Sequence, residues 1–318
     1  MKKFIFVLTL SVAIGSVITL NSCKKTSSVV ADDSVSAKDN ASVSNAMNAS
    51  SDDAESAAGQ VQSFSGKTEG WWLSAVFCGV SVVDSGTAGN RVITITYNGT
   101  TVCNGVIRSG TITVQNSSGI PWKEANSVLT ITYNNLSVTD PATGESYTLS
   151  GHNTLTKETA GLAWQVLYGT APANTTVTRR NQGDITVTFG DGTTRTWTVD
   201  RTRSWSNAGG PISVTVSSEA AGNIDVNGTN RYNLPFTNAI TTPIVANNQN
   251  NCTWRPYNGQ TVHTASRRTT TVSYGDDRTG THIGTATACG GSNPDGYGVY
   301  ISYTKTNGAS GNAFVPYW

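Results

Sequence analysis

Five residues near the middle of the chain concentrate its recognition chemistry: Arg195, Trp197, Arg201, Arg203 and Trp205. They belong to the run Arg195-Thr196-Trp197-Thr198-Val199-Asp200-Arg201-Thr202-Arg203-Ser204-Trp205. Successive side chains of a strand point to opposite faces, so all five, with Val199, fall on one face. Arginine stacks on tryptophan as a cation-π pair worth about 0.5 to 2 kcal/mol. Were this face exposed, its flat rings flanked by bidentate donors would suit a sugar or an anionic polymer. Were it buried, the tryptophans would be core and the arginines would run along a sheet rim, stems covered and heads in water.

No catalytic motif accompanies them. His152, His263 and His282 are followed by residues that exclude H-E-x-x-H, and no G-x-S-x-G elbow occurs. Asp191, Asp276, Asp277 and Asp295 lie in or beside glycine-containing turns, where aspartate serves the backbone, and no D-x-D-x-D-G calcium run is present. Paired carboxylates for glycoside hydrolysis are a spatial feature that spacing does not reveal. Four cysteines, Cys78, Cys103, Cys252 and Cys289, follow Cys23. None forms a C-x-x-C pair and the histidines lie far from them, which disfavours zinc. Three disulfide pairings can be drawn, of which Cys78 with Cys103 and Cys252 with Cys289 close moderate loops around short runs of strands. The residues call for no metal and no cofactor.

The elements that must position these groups are strands. Ile93-Thr94-Ile95-Thr96-Tyr97, Leu129-Thr130-Ile131-Thr132-Tyr133, Ile185-Thr186-Val187-Thr188-Phe189, Thr270-Thr271-Val272-Ser273-Tyr274 and Val299-Tyr300-Ile301-Ser302-Tyr303 share one alternation. It puts aliphatics and an aromatic on one face and hydroxyls on the other, the signature of half-buried antiparallel strands. Asn98-Gly99, Asn134-Asn135, Gly190-Asp191-Gly192 and Gly275-Asp276-Asp277 follow four of them and predict immediate hairpin turns. The fold class is all-β: roughly ten to fourteen antiparallel strands forming one large curved sheet or two packed sheets. Residues 64–318 hold this β-rich region, with 238–251 as a longer crossing or subdivision.

Lys2 and Lys3 precede an apolar run from Phe4 to Leu20 that ends in Leu20-Asn21-Ser22-Cys23. This is the layout of a secretory signal, and its end resembles the bacterial lipobox. Residues 1–22 would be the signal peptide and Cys23 the lipidated first residue of the mature chain. Residues 23–63 are rich in Ser, Ala, Asn, Val and Asp and lack aromatics until Phe64, which predicts a flexible linker spanning about 35 Å, with at most one helical turn at Asp52 to Ala58. Charged residues make up 13% and the net charge is +1, so there is no basic field for nucleic acid. The expected location is the cell envelope, with the lipid anchored in the outer membrane.

The order of these parts resembles a family of Bacteroidota lipoproteins of unassigned activity. The likeness rests on Ser22-Cys23-Lys24-Lys25, the polar linker, the Val92 to Thr113 strand pair and the Thr202-Arg203-Ser204-Trp205 ending. It continues through Gly228-Thr229-Asn230, Cys252, a Tyr274-Gly275-Asp276 turn and Cys289. It implies a lipid-anchored all-β protein and no reaction. The chain departs from surface-exported relatives in that its first acids after Cys23 are Asp32 and Asp33. The leading functional expectation is a non-catalytic binding or scaffolding lipoprotein, its partner a polysaccharide or an envelope protein. A lipid or lipoprotein carrier with an open β-sheet cavity, and a carbohydrate-active enzyme with dispersed carboxylates, are the alternatives.

Overall fold

The computed structural model describes residues 33–61, 78–86, 91–248, 254–283 and 298–316. A single antiparallel sheet of 14 strands dominates it. The first seven strands are β1 (Val80–Ser85), β2 (Val92–Cys103), β3 (Val106–Asn116), β4 (Val128–Thr139), β5 (Ser146–Lys157), β6 (Thr176–Phe189) and β7 (Thr194–Ser206). The rest are β8 (Ser213–Ser217), β9 (Ile224–Thr229), β10 (Pro235–Asn247), β11 (Pro256–Ala265), β12 (Arg268–Asp276), β13 (Gly298–Lys305) and β14 (Ser310–Pro316). Each strand pairs with its neighbour in sequence, apart from one slot. There β8 pairs with the end of β7 and β9 with its middle, and β10 receives both on its other side. Two short strands thus stand end to end in the place of one. Residues 238–247, read from sequence as a crossing, lie in β10, so the sheet runs through that stretch without a break.

The recurring apolar-hydroxyl alternation falls inside β2, β4, β6, β12 and β13. Its aliphatics face inward, with Ile93, Ile95, Leu129, Ile131 and Ile185 fully buried. Its threonines line up on the other face, where Thr94 and Thr132 flank Thr113 of β3 as successive cross-strand neighbours, all half-buried. Two of the expected turns fall elsewhere. β2 runs past Asn98-Gly99 to turn at Asn104-Gly105, and β4 runs past Asn134-Asn135 to turn between Asp140 and Glu145. Asn135 has a positive φ of 54° where the register with β3 and β5 shifts. Positive φ serves a β-bulge as well as a turn, and bulges increase the local bend of a strand.

The main departure from the sequence reading is at the front. Asp33–Gln60, assigned to the flexible linker, is a helix of 28 residues, α1. No side chain from Val35 to Gln60 is exposed. Strands as far apart in the sheet as β2 and β12 reach it, so the sheet curls around the helix. Val43, Met47, Ala54, Ala57 and Val61 form a stripe that joins the main core beneath β2 to β7. The segment has neither Pro nor Gly before Gly59, but Ser, Asn and Asp are weak helix formers. Packing supplies the stability that propensity does not. A second, short helix, α2 (Ala163–Leu167), covers a smaller cluster with Val177, Trp205 and Val214.

Candidate functional site

The inner face of β7 holds the five residues singled out by sequence, and the alternation is as expected: Trp197, Arg201, Arg203 and Trp205 all point inward and are buried. Their exposure is not. Trp197 and Trp205 keep 1% and 2% of their surface, which rules out ligand platforms. Trp197 donates its Nε1–H to the Thr229 carbonyl at 2.7 Å and meets Phe236 edge-on, ring centres 5.0 Å apart. Arg203 and Arg179 stack on the Trp205 ring at 4.8 and 5.0 Å. The cation-π pairs therefore exist, but inside the protein. Arg195 is half-buried and donates to the carbonyls of Asn230 and Arg231. The face expected to hold a ligand holds α1.

Side chains of the sheet bind α1 along its length. Arg231, after β9, grips Asp39 with two hydrogen bonds of 2.9 and 2.6 Å. Arg201 donates to Ser44 and Asn48 of α1 and pairs with Asp225 of β9. Arg203 and Arg179 share Asp52, and Arg179 also reaches Glu55 at 2.8 Å. Lys157, fully buried, donates to Glu55 at 2.8 Å and lies 4.2 Å from the centre of the Trp122 ring. Arg108 and the Tyr97 hydroxyl both donate to Asp53, at 2.7 and 3.0 Å. Six inward cations thus face four acids of the helix and Asp225.

Charges buried this deeply are stabilised only when each has a partner. Burial raises the Asp53 carboxyl above its ordinary range in spite of Arg108 and Tyr97. Burial acts the same way on Glu55, but Lys157 and Arg179 outweigh it and hold that carboxyl low. These pairs fix the register of α1, since a slide of one turn would bring each acid opposite the wrong strand.

Sequence reasoning missed this network because a polar helix carries no strong hydrophobic stripe. A signal exists in retrospect. Val43, Ala46, Met47, Ser50, Ala54, Ala57, Ala58 and Val61 recur largely at three- and four-residue steps, and Asp39, Asp52, Asp53 and Glu55 on the same segment are acids that the sheet's inward arginines can meet.

A cavity of about 90 Å³ lies between α1 and the later strands. Its roof is Ala37, Asn40, Ala41, Ser44, Asn45 and Asn48, a helix face of short side chains. Its floor is two rows of the sheet. One row is polar, with Asn238, His263 and Thr270 as cross-strand neighbours. The next is Ile240, Thr261, Val272 and Ile301, flanked by Val216, Ile244 and Tyr274. His263 accepts or donates one bond, at 3.0 Å to the Ser36 hydroxyl, and stacks on Phe236. Burial lowers its pKa to about 4, so the ring is neutral at pH 7.

Cys78 and Cys103 form a disulfide that ties β1 to the end of β2. Cys23, Cys252, Cys289 and Asp295 lie outside the described residues. Asp191 and Asp277 bind the amides and hydroxyls of Thr193 and Thr279, the backbone service expected of turn aspartates. Comparison with protein-family models, curated proteins and solved structures finds no match.

Proposed function

We propose that this chain is a non-catalytic binding module of the bacterial cell envelope, held at a membrane by lipid on Cys23, with the helix-roofed cavity as its ligand seat. The observation that carries the reading is the cavity itself. Beneath β2 to β7 the apolar stripe of α1 joins the core and its acids meet the inward cations, whereas here the roof is built of short Ala, Ser and Asn side chains. The apolar floor and polar row give it the makeup of a small-molecule site, mostly apolar with a few placed polar groups.

A lipid carrier would need an open trough, and α1 occupies that trough. The cavity suits a smaller guest. The position of α1 also shortens the tether. It begins ten positions after Cys23 (33 − 23), a span of at most about 35 Å when fully extended, so the folded body would sit close to the bilayer.

Two measurements test the reading. Cys23→Ala should move the protein from the membrane to the soluble fraction, and persistence in the membrane would overturn the anchor. Native mass spectrometry of the protein isolated from its own cells should show a small bound mass that is lost in Val272→Trp, which fills the cavity. No bound mass, or one unchanged in that variant, would overturn the seat.

A further inference from the structure

The first turn of α1 fixes which end of the curled sheet lies toward Cys23. Ser36 bonds His263 at 3.0 Å, two positions before β11 ends at Ala265. The helix therefore begins level with the turn from β11 to β12, and the turn from β13 to β14 lies beside it. Arg268 and Lys305 are cross-strand neighbours there, and the Thr306 amide donates to the Arg267 carbonyl at 3.0 Å. Arg267 and every residue from Thr304 to Ser310 are exposed. The Tyr303 ring centre lies 4.0 Å from the Arg268 guanidinium and 6.0 Å from the Lys305 ammonium. Gly311 leaves room for that ring, since a Cβ at 311 would come within 2.6 Å of the Tyr303 hydroxyl.

The strands that bear these cations are devoid of acids up to their far ends. From Tyr232 to Gly275 the sequence has no Asp or Glu, and from Gly298 to Pro316 it again has none. Asp276 and Asp277 stand at and just after the opposite end of β12. Turns of the earlier strands at the same end as Arg267 have the reverse makeup, with Asp140 and Glu145 between β4 and β5 and Asp191 between β6 and β7. Glu145 pairs with Lys38 of α1 at 2.7 Å, which ties that turn to the start of the helix. The rim around the start of α1 is thus basic on one side and acidic on the other.

Resting on the lipid-anchor reading above, we propose that the basic side of this rim, Arg267, Arg268 and Lys305, docks on the anionic phospholipid headgroups of the membrane that holds Cys23. α1 starts ten positions after Cys23 (33 − 23), at most about 35 Å when extended, so this rim is the part of the body held nearest the bilayer. The field of a charged leaflet fades within about 10 Å in ordinary salt, so cations on the far rim do not feel it. Each Arg or Lys close to an anionic leaflet favours contact about fivefold, so three favour it about a hundredfold. Tyr303 fits the same surface, since an amphipathic ring is suited to headgroup depth. Docking turns the acidic side of the rim away from the bilayer and so sets the tilt of the body on its tether.

The experiment takes the protein isolated from its own membranes and reconstitutes it in vesicles of phosphatidylcholine, alone or mixed with phosphatidylglycerol. Amide hydrogen exchange is then read by mass spectrometry. Backbone amides of Thr304 to Ser310 should exchange at least fivefold more slowly on the anionic vesicles than on the neutral ones, and high salt should remove the difference. Arg267→Glu with Lys305→Glu should abolish the protection while the melting temperature stays at wild type, both side chains being exposed. Arg91→Glu with Lys123→Glu changes the net charge equally at the opposite rim, where both side chains are also exposed, and should keep the protection. Equal exchange on the two kinds of vesicle, protection that survives in Arg267→Glu with Lys305→Glu, or its loss in Arg91→Glu with Lys123→Glu, would overturn the proposal. Flotation with neutral vesicles together with equal exchange would spare the lipid anchor and refute the docking face alone. Failure to float with neutral vesicles would refute the anchor, and this proposal with it.

Discussion

Glu55 sits where two cations of the sheet converge on the helix, and removing it tests whether ion pairing holds α1 in place. Glu55→Ala leaves the Lys157 ammonium, at 0% exposure, without an ion-pair partner among the described residues, while Arg179 keeps Asp52. Breaking a buried pair from one side costs about 3 to 5 kcal/mol. For a domain of this size that is a fall in melting temperature of roughly 6 to 20 °C. Adding Lys157→Met removes the stranded charge and restores an apolar fit against Trp122. It forgoes the cation-π contact at 4.2 Å, worth up to about 2 kcal/mol when desolvated. The double variant should therefore recover part but not all of the loss, with a coupling above about 1 kcal/mol in the cycle. Urea unfolding, followed by far-ultraviolet dichroism and tryptophan fluorescence together, reads all four corners. A Glu55→Ala loss under about 1 kcal/mol, or strict additivity in the cycle, would refute the argument.

Stability should fall with acid through His263. Its folded pKa, near 4, lies below the ordinary 6.5, so the contribution is fully present above pH 6.5, declines as protons bind the unfolded chain, and levels off near pH 4. The loss is about 3 kcal/mol at 1.36 kcal/mol per unit, and the difference between wild type and His263→Gln in a pH series of melts should show it over that window. Reducing the Cys78–Cys103 bond, with its separation of 25 residues, should lower stability by about 3.5 kcal/mol in the chain-entropy account, measured by urea unfolding with and without dithiothreitol. A chain lacking residues 24–61 should expose six inward cations and the apolar inner face of β2 to β7 and be recovered as aggregate. A synthetic peptide of residues 33–61, added during refolding, should restore soluble protein.

The sheet was legible because period-two alternation reports burial on one face, and the five recurrent segments all lie in strands. The face of β7 was legible for the same reason. Its occupant was not. Alternation says which side chains share a face and nothing about what covers it, and α1 is concealed by its own partners. A helix buried against arginines carries acids and amides, so it has the composition of a solvated linker. Asn98-Gly99 and Asn134-Asn135 misled for a related reason, because the residues that permit positive φ are common to turns and bulges.

The wiring of α1 also sets an order of events for a chain synthesised from its amino terminus. Apart from β8 and β9, each strand meets its sequence neighbour, so most of the sheet can assemble progressively as hairpins. The helix, made first, must wait for partners far behind it: Arg231 lies 192 residues after Asp39, and His263 lies 227 after Ser36. Its polar composition lets it wait in water without sticking to other chains, where a greasy helix would aggregate. Native docking then comes last, and pulsed hydrogen exchange should find β2 to β7 protected before any amide of Asp33–Gln60. A helix suited to being buried is in this protein equally suited to the interval before burial.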